Sequence, residues 1–216
     1  MVDGPVVAVR GEAYREVPPE LARFTVTATA RDRSREAVLS RLAERAAAVR
    51  VLLDAAEPAV DRRETGDLRV WPQTRRSGER VVAWHGSVGT TVTVTDFTAL
   101  GELMLRLADQ DQVEIAGPWW SLRPDSPAHR DARHAAIADA LARAREYAEA
   151  LGARVTALLE LADTGAAPQP MFARAAFAGG GGGESGGPPE LDLDPQPQSV
   201  HAAVEARFTI SEPVLG

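Results

Sequence analysis

The sequence predicts an α+β fold: antiparallel or mixed sheets with helices packed on one face in two layers, over a chain of 216 residues. Three observations lead there. Phe24-Thr-Val-Thr-Ala28-Thr-Ala30 and Thr91-Val-Thr-Val-Thr95 alternate apolar and hydroxyl side chains, the period of two expected of half-buried strands. Ala37, Val38, Leu42, Ala46, Val49 and Leu53 instead recur at helical spacing. From residue 21 to about 117 the elements run strand, helix, strand, strand, helix, strand, the order of a ferredoxin-like βαββαβ core. An additional long helix and terminal strands follow or precede it.

Val6 to Arg10 is a short apolar run expected to end at Gly11, and Pro18-Pro19 breaks the chain before the strand that starts at Leu21. Ser34 is placed to cap the first helix, which ends near Pro58. Val60–Gln73 and Arg80–Thr95 read as strands joined by a turn at Ser77-Gly78. Thr95 or Asp96 then caps a helix with Phe97, Leu100, Leu103, Met104 and Leu107 on its apolar face. Val113–Ala116 is a short strand leading to Gly117-Pro118. The longest helix is expected from Pro127 to Leu151, burying Ile137, Leu141, Ala144, Ala148 and Leu151, with Asp139 and Arg143 paired at i,i+4 on its solvent side. Gly152 stops it, and a strand covers Val155–Leu161. Residues 164–199 are rich in glycine and proline and read as a flexible loop. Alternation returns in Val200–Ile210, a terminal strand that rejoins the sheet. The chain is thus one domain of residues 1–216, or two packed α+β halves of about 1–117 and 118–216.

Composition excludes several chemistries. No cysteine is present, which removes disulfides, thiolate ligands and thiol nucleophiles. All 24 basic residues are arginine, so there is neither a phosphate-loop lysine nor a Schiff-base lysine. A net charge of −7 argues against nonspecific nucleic-acid binding, which needs clustered cations. No stretch approaches the roughly 18 apolar residues of a membrane span, and the short run after Asp3 does not read as an export signal. A cytoplasmic protein without a cofactor is the resulting expectation.

Four stretches carry a family resemblance. They are Val9-Arg-Gly11-Glu-Ala13 with Pro19-Glu-Leu-Ala22, Val92 to Leu103, Ala140 to Gly152, and Pro197 to Phe208. Together they resemble the SIMPL family, also called DUF541. The resemblance implies an α+β protein of a family in which many members are exported, some assemble into large homo-oligomers and others are linked to stress responses or signalling adaptors. It implies no active site, and this chain departs from the family in its extended glycine loop and the missing export signal.

Each candidate for chemistry has a plainer reading beside it. Gly181, Gly183 and Gly186 form a G-x-G-x-x-G, but Pro188-Pro189 stands where a dinucleotide site needs a helix start. His85-Gly-Ser87-Val-Gly89 lacks the first glycine of a nucleophile elbow and reads as strand with a glycine bulge. His129 and His134 are five residues apart, about 140° around a helix, so a zinc pair with Asp125 and Asp131 is disfavoured. Asp109, Asp111 and Glu114 read as a solvated turn. Trp119 and Trp120 should point to opposite sides, one inward and one outward.

The leading expectation is a noncatalytic binding or self-assembly module: a homo-oligomer or a partner of another protein. Its surface would include Trp84, Trp119, Trp120 and the apolar residues Met171, Phe172 and Phe177 of the long loop. The alternatives are a hydrolase or metal-dependent enzyme using His129, His134 and nearby carboxylates, and a small-ligand sensor with a groove between Trp84 and Trp119.

Overall fold

Alternating side chains become strands and four-spaced alanines become a helix in a computed structural model, which describes residues 4–75, 80–165 and 191–214. The elements are β1 (Val6–Val17), β2 (Leu21–Asp32), α1 (Arg35–Ala55), β3 (Val60–Thr74), β4 (Val81–Val94), α2 (Leu100–Ala108), β5 (Val113–Ser121), α3 (Pro127–Ala150), β6 (Val155–Asp163) and β7 (Gln198–Ile210). They divide into two units, neither of them continuous in sequence.

One unit, residues 18–123 with residues 191–196 of the β6–β7 connection, holds the ferredoxin-like core. Its sheet has the order β3-β4-β2-β5, every neighbouring pair antiparallel. Ala22, Phe24, Val26, Ala28 and Ala30 of β2 turn inward while Thr25, Thr27 and Thr29 take the other face. Val49 and Leu53 of α1 meet Leu100, Leu103 and Leu107 of α2 over Phe24, Val92 and Val94. Ser34 caps α1 as expected, its hydroxyl accepting from the Ala37 N–H at 3.4 Å. A Cβ on Gly86 would stand 2.6 Å from Val38 and Leu42, so the strand lets α1 lie close. His85–Gly89 is strand, as expected, in register with β2, and the bulge falls in β3 between Thr65 and Leu68, opposite Gly89. Asp96 does not cap α2. It accepts from the Thr98 N–H at 3.0 Å and hydroxyl at 2.6 Å, a local turn that competes with capping, and Ala99 stands at the N-cap. β5 runs on through Gly117, whose φ of +121° only glycine adopts readily, to Ser121.

The other unit, residues 1–17, 124–183 and 197–216, is a three-stranded antiparallel sheet of order β1-β7-β6 with α3 on one face. β1 does not end at Gly11 but pairs with β7 along its whole length, Val6 with Thr209 through Val17 with Gln198. The terminal strand therefore joins this sheet and not the four-stranded one. The buried side of α3 is Ala132, Ala136, Ala140, Ala144 and Ala148, all 0% exposed. Ile137 and Leu151, expected inside, are 38% and 40% exposed. The reason is at Gly11: a Cβ there would overlap the Ala136 carbonyl oxygen and come 2.5 Å from the Ala140 nitrogen. Only the alanine ridge is low enough for that approach, and the i±4n row follows the sheet as it twists.

Gly11→Ala should therefore cost about 1–3 kcal/mol or more through overpacking, read as a lower urea midpoint. The pH dependence has a defined sign. Asp32 is held below its ordinary value chiefly by the Ser34 N–H, and Asp96 chiefly by the Thr98 hydroxyl. A depressed carboxylate stabilises above its unfolded value and loses that contribution as pH falls through the folded one. Thermal melts of Asp32→Ala and Asp96→Ala should thus differ from the parent most near neutrality, and the gap should narrow below the ordinary 3.8.

Candidate functional site

Sheet parity distributes the tryptophans. Trp120 lies opposite Ala22 on the inner face, packs against the core and meets Phe97 edge-on, with ring centroids 4.8 Å apart. Trp119, opposite Arg23, turns outward and is 52% exposed. Trp84 sits on the inner face beside Ala30, Val38 and Leu42, with the Arg35 guanidinium 5.8 Å from its ring centroid. Trp84 and Trp119 thus occupy opposite faces of the sheet and line no common groove. Trp71, which sequence reasoning passed over, is 45% exposed and stacks on His85 at 5.8 Å. Gln73 Oε1 lies 3.0 Å from His85 Nε2 and accepts from Arg31 at 2.9 Å. The parity of β3 around Val70 held the signal for Trp71. Met171, Phe172 and Phe177 lie outside the described residues.

The polar candidates are dispersed. His129 borders a shallow cavity of about 430 Å³ with Asp125, Ser126, Arg130 and Arg133. His134 is exposed further along α3, and Asp131 pairs with Arg130 at 3.5 Å. Among the described residues no group of three or more His, Asp or Glu could hold a metal ion. Asp111 is tied to Arg45 at 2.9 Å, Asp109 caps the C-terminal end of α2, and Glu114 projects from β5. His85 and Ser87 are consecutive outward positions of a continuous strand, not an elbow.

The site with the most unsatisfied surface is one that sequence reasoning did not name. β6 pairs with β7 on one side and with no described strand on the other. Its pairing skips at Thr156 and again at Leu159, so its side chains do not keep a simple alternation. Leu158 is 54% exposed, Leu159 39% and Leu161 44%. α3 lies over β1 and β7 and barely reaches β6. Between helix and strand runs an apolar groove of about 340 Å³, walled by Ile137, Leu141, Val155, Leu158, Leu161 and Phe208. The opposite edge is different. There Asp139 of α3 accepts the Glu12 N–H of β1 at 2.9 Å while also holding Arg143 at 2.9 Å, so one outward backbone donor is already covered. A signal for β6 was present in Leu158-Leu-Glu-Leu161, where a strand with one covered face has no room to bury consecutive leucines.

Trp120→Ala should cost about 3–5 kcal/mol of stability, and Trp119→Ala should stay within about 0.5 kcal/mol, both by chemical denaturation.

Comparison with known proteins adds a family and distant solved structures. No curated protein matches the chain. A solved structure named an amidohydrolase/peptidase, from Burkholderia cenocepacia, is 17% identical over 59% of this chain and 33% of its own, with a TM-score of 0.30. This chain therefore spans about a third of that protein's length, and at such a likeness nothing is carried over from it. The model of the SIMPL family, described as a protein of unknown function (DUF541), matches residues 7–208, and the chain belongs to that family.

Proposed function

We propose that this chain is a noncatalytic binding module that assembles with copies of itself, joined along β6. One observation carries the reading: a strand edge that no described strand pairs, whose leucines stand exposed beside an apolar groove. An edge strand presents a row of backbone donors and acceptors that another strand satisfies well. Water solvates those groups too, but it gains nothing from Leu158, Leu159 and Leu161, whereas a second copy removes both kinds of surface from water together. β6 also has little to repel a copy, since Glu160 and Asp163 are its charges, and Glu160 is paired with Arg207 at 3.5 Å. A cytoplasmic setting and a part in stress responses or signalling belong to the same proposal. The stress or signalling part rests on membership of the SIMPL family.

Light scattering on the purified chain should give a mass above that of the monomer. Leu158→Arg with Leu161→Arg should return it to monomer while the circular dichroism stays unchanged. A parent protein that stays monomeric across its soluble range would sink the proposal, as would an oligomer indifferent to both arginines.

A further inference from the structure

We infer that Leu191–Leu193 is a releasable strap seated on α2, a conformational device built into the β6–β7 connection. Residues 191–196 follow β6 and precede β7, yet they cluster with the four-stranded unit and not with the sheet that those strands build. Two contacts seat the segment. Leu193 is half-buried against the cluster that contains Leu100, Leu103 and Leu107, on which Trp120 also packs. The Leu191 carbonyl lies over Gly101, so close that a Cβ on Gly101 would overlap it. Gly101 is buried in the first turn of α2, where a glycine otherwise weakens a helix by about 1 kcal/mol relative to alanine. Its φ is not in the left-handed region, so the backbone does not demand glycine there. The close approach of the strap does.

The seat is shallow as well as specific. Residues 191–197 form no helix or strand, and Asp192 and Asp194 make no hydrogen bond or ion pair among the described residues. Pro195 and Pro197 lack the N–H groups that would let the segment join a ladder. Leu193 and the Leu191 carbonyl are the two contacts that seat Leu191–Leu193 on α2, and a segment outside any ladder opens at less cost than the core beneath it. Its release uncovers part of the Leu100–Leu107 cluster together with the environment of Trp120, and Trp120 reports the event.

The bonds on the amino side of Asp192 and Asp194 are cut by an Asp-specific endoproteinase, which makes release measurable in the full chain. In the parent protein these bonds should be cut slowly. Gly101→Val, which fills the seat, and Leu193→Ser, which removes the anchor, should each raise the rate at least tenfold, with a red shift of tryptophan emission. The bond before Asp139 in α3 serves as the internal reference and should not change. Rapid cutting in the parent would show that the strap is not seated, and unchanged rates in both variants would show that these two contacts do not hold it. Equal acceleration at Asp139 in both variants would mean that the strap cannot leave without general unfolding. Each of these three results overturns the inference.

Discussion

The approach of α3 to Gly11 governs the smaller unit. A helix can come that close to a strand only where both surfaces are nearly bare, and here the strand offers a hydrogen while the helix offers methyl groups. Once the Ala132–Ala148 ridge is seated, the rotation of α3 is settled. Ile137 and Leu141 are then turned toward β6, and Asp139 toward the outer edge of β1. The apolar groove and the covered edge are both consequences of one packing choice. Larger side chains on the ridge would have lifted the helix and blurred the difference between the two edges.

The four-stranded unit has a more conventional basis. Its sheet alternates strictly enough that parity decides where each aromatic ring goes, and its two helices close one face over Phe24, Val92 and Val94. Gly117 lets β5 pass close to Phe24, beyond which Trp119 and Trp120 part to opposite faces. Arg45 and Arg41 reach back from α1 to the carbonyls of Thr29 and Arg31, tying helix and strand at the end away from Trp119 and Trp120.

Element order and type were legible in the sequence because they depend on local periodicity: β2, β4 and α1 lie close to where alternation and the Ser34 cap put them. The two tryptophans were legible for the same reason. What escaped was set by contacts between distant segments. Ala144 and Ala148 of the expected α3 stripe are buried, but closeness to Gly11, more than a hundred residues earlier, sets Ala132, Ala136 and Ala140 beside them in place of Ile137 and Leu151. The free edge of β6 depends on strand order, which no local pattern states. The strap was concealed by its surroundings, since Leu191 and Leu193 lie at the end of a stretch whose composition reads as linker. Asp96 shows a local failure of another kind, where two hydrogen-bonding arrangements competed and the tighter turn prevailed.

The covered edge of β1 has a bearing on symmetry. A sheet open at both ends can add neighbours indefinitely, and such head-to-tail growth leads to filaments. Here the Asp139 carboxylate takes one outward donor of β1, the Glu12 N–H, so the two ends of this sheet are not equivalent. In the assembly proposed above, two such sheets would meet at β6 about a twofold axis, each copy offering the same strand to the other. That contact is self-complementary, and the Asp139 carboxylate stands at the far edge, apart from it.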